Sequence, residues 1–286
     1  MPAAKTRTPT IAIVGAGNLG SALALSLSAA GYRINEIISR NKKPSRQRSR
    51  TLARRVGAHA TTIADTHRTF DLIWFCVPDS AIAGYARSLS HVNWTGKIAL
   101  HSSGALTSEE LDSLRKRGAR VASVHPMMTF VASGAPPLKS VPFAIEGDRG
   151  AVSAARKIVA RLGGVSFLIA KKDKPLYHAW GTFASPLLTT LLELTERIGQ
   201  EAGVPRRKAR PWILPIVRQT VENYAWHGAA RGFSGPIIRG DAATVARHLK
   251  ELRRLPDAKG TYLALARFAV RNLPAKNKAQ LLKELR

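Results

Sequence analysis

The chain has 286 residues, 45 Lys and Arg against 18 Asp and Glu, and one cysteine, Cys76. That length suggests roughly two domains, and a 45% hydrophobic content excludes disorder as a description of the whole. A lone cysteine excludes an internal disulfide and an oxidised secreted scaffold, and no Cys/His cluster has metal-binding spacing, so no metal is expected. The net charge of +27 raises nucleic acid or a membrane surface as partners. Yet the excess is spread: 23 basic against 9 acidic residues up to residue 170, and 22 against 9 beyond it. Only Arg40 to Arg55 concentrates it, with eight basic residues and no acid. No helix-turn-helix or interleaved aromatic-basic motif accompanies the charge, so no specific nucleic acid is expected. Most of the charge reads as a solvated basic face.

Lys5 and Arg7 precede a charge-free stretch from Thr8 to Tyr32, the outline of a signal peptide. Gly15, Gly17, Asn18 and Gly20 interrupt its apolar core, and its Ser and Ala content is too weakly apolar to span a bilayer. The reading is a cytoplasmic protein without a membrane contact. Ile11 to Val14 instead reads as a buried parallel strand. It runs into G-A-G-N-L-G (Gly15, Ala16, Gly17, Asn18, Leu19, Gly20) and a helix from Ser21 to Ala30. In such a strand–loop–helix the first glycine permits the tight turn, the second admits a pyrophosphate to the backbone, and the third lets helix pack on strand. Gly15, Gly17, Asn18, Leu19 and Gly20 are therefore candidate cofactor residues.

A second strand, Ile34 to Ser39, ends in Ser39-Arg40-Asn41-Lys42-Lys43. No carboxylate stands where an NAD site would need one for the ribose 2′-hydroxyl. Ser39 and Arg40 suit a 2′-phosphate instead, which points to NADP. Thr69 to Val77 reads as the next strand, with Cys76 as a small core residue; Val77 and Pro78 at its end complete the cofactor set. Further strands are expected at Lys97–His101, Arg120–Val124, Phe143–Glu146 and Val165–Ile169, the last two around a helix from Ala151 to Leu162. The fold class is α/β: a doubly wound Rossmann sheet over residues 1–170, followed by an all-α domain over 171–286.

Ligands of such sheets bind at the carboxyl ends of strands. Two of those ends carry H-S-S-G-A (His101 to Ala105) and H-P-M-M-T-F (His125 to Phe130). An imidazole near neutrality suits a proton step, and Ser hydroxyls and loop N–H groups suit holding a substrate. Ser102, Ser103 and His125 are thus candidate catalytic residues, Ser103 and Gly104 candidate substrate contacts, and His101 a structural histidine.

From Asp173 the chain turns helical. Pro175 fits the first turn of a helix running to about Ala202. On it Tyr177, His178, Thr182 and Ser185 share one side; Tyr177 is a candidate substrate contact and His178 a catalytic one. The apolar run Leu187 to Leu194 expects burial, against a second helix or a second subunit. A helix over Arg207–His227 follows, with Trp212 and Trp226 read as core. The glycine-rich segment Gly232 to Asp241 holds Arg239, a candidate clamp for a substrate carboxylate or phosphate, and Asp241, the expected N-cap of Ala242–Leu252. Helices at Asp257–Asn272 and Ala275–Leu285 close the domain.

The set G-A-G-N-L-G, V-P-D, H-S-S-G-A-L, S-V-H-P-M-M-T-F, F-A-I-E-G-D, L-Y-H-A, F-A-S, G-P-I-I-R-G-D and T-V-A-R-H-L closely resembles an uncharacterised family. It joins a Rossmann-like NADP-binding domain to a helical C-terminal domain of unknown function, and its members are provisionally labelled oxidoreductases. The resemblance runs from about Thr10 to Leu273. More distantly the layout is similar to pyrroline-5-carboxylate reductase, prephenate dehydrogenase and 3-hydroxyisobutyrate dehydrogenases. Likeness to prephenate dehydrogenase implies that His125 contacts the reacting hydroxyl and that Ser102 or Ser103 contacts substrate. The hydroxyisobutyrate group has a catalytic lysine early in the long interdomain helix, where the nearest equivalents here are Tyr177 and His178. The family often shows Asn after F-A-S, where this chain has Pro186. The resemblance also implies a homodimer through the helical domain. The expectation is an NADP-dependent oxidoreductase acting on a carbonyl or imine of a small anionic metabolite. The alternative is a non-catalytic NADP-binding sensor or assembly protein.

Overall fold

A computed structural model of the chain describes residues 8–67, 69–132 and 136–286. These fall into two compact units divided at Ser185/Pro186, further along the chain than the boundary at 170 read from composition. The reason is local: Lys174 and Tyr177, beyond residue 170, are anchored in the sheet unit by side-chain hydrogen bonds.

In the first unit eight strands form one sheet: β1 (Ile11–Val14), β2 (Ile34–Ser39), β3 (His59–Thr62), β4 (Leu72–Phe75), β5 (Ile98–His101), β6 (Arg120–Pro126), β7 (Pro142–Gly147) and β8 (Val165–Leu168). Their spatial order is β3-β2-β1-β4-β5-β6-β7-β8, parallel throughout except for the antiparallel β6–β7 pair. This is the doubly wound arrangement, with its switch point between β1 and β4. Helices α1 (Asn18–Ala29), α2 (Lys43–Val56), α3 (Asp79–Ser88), the single turn α4 (Asp112–Arg115) and α5 (Arg149–Arg161) cover its faces. Side chains alternate across β1, Ile11 and Ile13 joining the core beneath α1, α2 and α5, Ala12 and Val14 the core beneath α3 and α4. Strand β3 carries no sequence signal. His-Ala-Thr-Thr is half exposed at the sheet edge and shows no apolar alternation.

Helix α6 (Lys174–Thr182) ends the first unit and leads into a π-helical turn over Phe183–Leu187, at the border of the two units. The expected single helix to Ala202 is thus interrupted, because Pro186 cannot donate the backbone bond that would continue it. The second unit comprises α7 (Leu188–Glu201), α8 (Arg206–Gly232), α9 (Pro236–Arg239), α10 (Ala242–Glu251), α11 (Pro256–Asn272) and α12 (Lys278–Glu284). Gly228, at φ +69°, kinks α8. Its core is small: Val245 and Leu249 of α10 meet Ala266 and Val270 of α11 and Leu281 of α12. Asp241 caps α10, its carboxylate accepting from the Thr244 N–H at 2.9 Å. Trp212 and Trp226, read as core residues, are 61% and 82% exposed. Nothing in the sequence of a lone amphipathic helix distinguishes a face buried within its own chain from one left open.

Among the described residues no helix is long and apolar enough to cross a membrane, and no cluster of three or more metal-ligating side chains occurs.

Candidate dinucleotide cleft and the histidine–tyrosine cluster

The loop after β1 fits a dinucleotide backbone because each glycine meets a different constraint. Gly15 has φ +103°, and a Cβ there would strike the Cys76 carbonyl. A Cβ on Gly20 would strike the Gly15 carbonyl, so α1 could not pack. Gly17 is different: its backbone is ordinary, at φ −78°, and nothing lies within 4 Å of a Cβ built on it. Open space stands where a pyrophosphate would approach. Asn18 is exposed and donates to the Phe130 carbonyl at 3.1 Å. The Leu19 side chain packs into the core, leaving only its backbone for a ligand.

Two clefts meet over Gly17. One, of about 350 Å³, is lined by Gly15, Gly17, Ser39, Arg40, Val77 and Pro78, six of the residues expected from sequence. The structure adds Ser45 and Arg48 from the first turns of α2 and Tyr85 from α3. None of the described residues lining it is acidic. Ser39 is nearly buried and its hydroxyl accepts from Ser49 at 3.2 Å; Arg40 and Arg48 are exposed and uncommitted to any ion pair among the described residues. The other cleft, of about 700 Å³, runs between Asn18, Ser21 and Leu25 of α1 and Arg48, Thr51 and Arg55 of α2. The basic run therefore brings Arg48 to the wall of the cavity that opens from the glycine loop. The Cys76 thiol, pushed up to about 12 by burial, is no nucleophile.

The ends of β5 and β6 assemble a second cluster. His101 is fully buried; its Nε2 meets the Thr107 carbonyl at 2.9 Å and its Nδ1 accepts from the Ser103 N–H at 3.1 Å. It shapes the loop, as expected. Neither serine presents a free hydroxyl. Ser102 accepts from the Trp74 indole at 2.8 Å, turned into the core. Ser103 donates to Asp79 at 2.7 Å and accepts from the Leu106 N–H at 2.9 Å. Gly104 is buried against two rings: a Cβ there would lie 2.9 Å from His125 Nε2 and collide with His178. His125 Nδ1 meets the Tyr177 hydroxyl at 2.9 Å, the rings edge-to-face. His178 stacks edge-on to His125 from the exposed side of α6. His125, Gly104, Tyr177 and His178 are thus brought together, while the Ser102 and Ser103 hydroxyls turn to Trp74 and Asp79. Arg239 is exposed at the end of α9 in the second unit.

The electrostatics change one expectation. Burial, then the Lys174 charge, then His178 and His101 push His125 down to about 4. At pH 7 it is a neutral imidazole rather than the near-neutral acid that its residue type suggests. Tyr177 is pushed up to about 12 by burial and keeps its proton.

Sequence reasoning passes over Lys174. It has no exposed surface. Its ammonium donates to the Ser103 carbonyl at 3.1 Å and the Ser123 hydroxyl at 2.8 Å, and Ser123 itself donates to that carbonyl at 3.1 Å. Burial pushes Lys174 down to about 8, opposed by the charges of Glu146 and Asp79. A lysine therefore does stand at the head of this helix, three residues before Tyr177. In the sequence it is one of three lysines in Lys-Lys-Asp-Lys, and only packing singles it out.

Two family models match the chain, a Rossmann-like domain over residues 3–126 and a domain of unknown function, DUF2520, over residues 141–268. No curated protein matches it. Among solved structures, the protein TM1727 of Thermotoga maritima is 25% identical, with a TM-score of 0.72 over 96% of this chain and 100% of that one. A Bacteroides fragilis protein provisionally described as an NADP oxidoreductase is 22% identical, with a TM-score of 0.74 over 91% of this chain and 96% of that one. A pyrroline-5-carboxylate reductase of Coxiella burnetii is 15% identical, with a TM-score of 0.58 over 91% and 98% of the two chains. The chain therefore shares the fold of these structures, and its first and second halves match the Rossmann-like and DUF2520 models in turn.

Proposed function

We propose that the chain is an NADP-dependent oxidoreductase acting on a carbonyl or imine of a small anionic metabolite. One observation carries the cofactor: Ser39, Arg40, Ser45 and Arg48 line the cavity that opens from the glycine loop, with no acid among them. Gly15, Gly17 and the start of α1 would hold the pyrophosphate, and the α2 residues the 2′-phosphate. When bound, NADP supplies or accepts the hydride. The protein's own part is the proton. Tyr177 and a neutral His125, joined at 2.9 Å, hold one ready for a substrate heteroatom, while Lys174 and Ser123 fix the Ser103–Gly104 loop against the same imidazole. The Aspergillus terreus reductive aminase structures with NADPH, 17% identical to this chain, favour a carbonyl or imine class as the first panel to try.

With NADPH and a panel of keto acids and cyclic imines, one class should turn over. On that substrate His125→Gln and Tyr177→Phe should each lower kcat by about 10²–10⁴, the range of a lost acid–base group, with the NADPH dissociation constant unchanged. Tight NADPH binding without turnover on any member would leave the chain a non-catalytic cofactor-binding protein.

As partner we propose a second copy of the chain. Helix α7 buries no residue and α8 only Ala209, while Trp212, Ile216 and Tyr224, spaced at multiples of four along α8, are each more than 60% exposed. Covering an aromatic side chain removes about 150–250 Å² from water. Trp226, fourteen residues on from Trp212, extends the same side of the helix, and together these side chains supply a substantial part of the roughly 800 Å² per partner of a standard interface. Light scattering should give twice the chain mass, and added salt should tighten the dimer by screening two +27 surfaces. Trp212→Glu should yield a folded monomer. A wild-type monomer throughout the micromolar range would refute the assembly.

A further inference from the structure

We propose that the cavity at the carboxyl ends of β7 and β8 is a second ligand site, one that takes an organic molecule with a dianionic head and a short apolar body. Because β7 runs antiparallel to β6, the β7–α5–β8 crossover turns its carboxyl ends to the sheet edge opposite the Gly15–Gly20 loop. Carboxyl ends of parallel strands are where α/β units bind ligands. This sheet therefore has two such edges, and the cofactor cleft uses only one.

The cavity measures about 740 Å³. Arg149, Val152, Ser153, Arg156 and Lys157 line one wall and recur at three- and four-residue spacing, one face of α5. The opposite face, with Ala151, Ala155, Ile158 and Val159, is buried on the sheet. Leu168 and Ile169 give the cavity an apolar side, and Lys171, already paired with Glu109 at 3.0 Å, also lines it.

Charge makes the case for an anion. Among the described residues no carboxylate pairs with Arg149, Arg156 or Lys157. The one acid on the lining, Glu146, is nearly buried and already engaged: its two oxygens accept from the Ser108 N–H at 2.6 Å and the Ser108 hydroxyl at 2.8 Å. It is not available to neutralise the wall opposite. A merely solvated basic face would not need a cavity with an apolar side. Three uncommitted cations beside apolar surface match a phosphomonoester or dicarboxylate attached to a compact hydrocarbon or ring.

Calorimetric titration of the full chain with phenyl phosphate, phenylmalonate and inorganic phosphate, at about 0.15 M salt to screen weak surface attraction, tests the site. Phenyl phosphate or phenylmalonate should bind saturably and at least ten-fold tighter than inorganic phosphate; which of the two wins separates phosphate from dicarboxylate chemistry. The double variant Arg156→Gln/Lys157→Gln, both positions exposed on α5, should keep its melting temperature and lose at least ten-fold in that affinity. Arg40→Ala/Arg48→Ala, at the other sheet edge, should leave it unchanged. Absence of saturable binding, equal loss in both double variants, or no advantage of the aryl compounds over inorganic phosphate would overturn the proposal. None of these results depends on whether NADPH binds.

Discussion

Between pH 6.5 and 4 the sheet unit should lose several kcal/mol of stability through two histidines, His101 and His125. Both are pushed down to about 4 from an ordinary 6.5, in each case by burial first. The Thr107 carbonyl partly opposes this at His101, and the Lys174 charge adds to it at both. Their folded values lie below their unfolded ones, so between about 4 and 6.5 the unfolded chain binds more protons. Stability then rises with pH across that window and falls as the pH drops through it. A ten-fold change in proton affinity is worth about 1.4 kcal/mol, so each histidine contributes up to about 3 kcal/mol. Lys174 works with the same sign in a different window. Its folded value of about 8 lies below the ordinary 10.5, so its burial costs stability at neutral pH and that cost is relieved as the pH rises from 8 towards 10.5. Urea denaturation at a series of pH values measures both slopes. His101→Gln should start less stable at pH 7, having lost its fit between Thr107 and Ser103, but should show about half the wild-type decline on acidification. An unchanged slope would mean that the His101 imidazole is not held neutral by burial.

The glycine loop was legible because its constraints are backbone constraints. Gly15 and Gly20 are forced by a positive φ and by the approach of a carbonyl, while Gly17 faces open space; a strand before and a helix after suffice to read them. The side proposed for the 2′-phosphate was half legible. Ser39 and Arg40 end a strand whose length fixes their place, whereas Arg48 reaches the cavity only through the angle at which α2 packs. At the second cluster the residue types were readable and their directions were not. Ser102 and Ser103 are neighbours, yet one hydroxyl turns to Trp74 and the other to Asp79, a choice made by the loop between β5 and the turn at Ser108. Lys174 shows the limit most clearly: its two lysine neighbours differ from it only in what lies opposite them in space. Trp212 failed for the complementary reason, since size and apolarity foretell burial without saying whose surface does the burying.

Arg40→Ala with Arg48→Ala should lower NADPH affinity by about 100-fold and NADH affinity by less than about three-fold, since each lost charge-assisted contact to a phosphate costs on the order of a factor of ten at an exposed site. Both side chains are exposed on the cavity rim, so the fold should be untouched. The glycines supply the controls that separate a built site from a sticky surface. Gly17→Ala places a methyl in open space at an ordinary φ, so it should leave the melting temperature unchanged and weaken both nicotinamide cofactors by a similar factor. Gly20→Ala meets the Gly15 carbonyl instead and should destabilise the sheet unit itself. Titration of nicotinamide fluorescence at low and near-physiological salt reads all four proteins. A charge of +27 attracts any dinucleotide at low salt, but that attraction is screened over roughly 8–10 Å at physiological ionic strength and does not distinguish two cofactors by one phosphate held in place. Selectivity that survives salt in the wild type and disappears in the arginine double variant would therefore locate the 2′-phosphate among Ser39, Arg40, Ser45 and Arg48. Equal, salt-sensitive binding of NADPH and NADH in the wild type would assign the affinity to net charge and remove the basis for an NADP-dependent reaction.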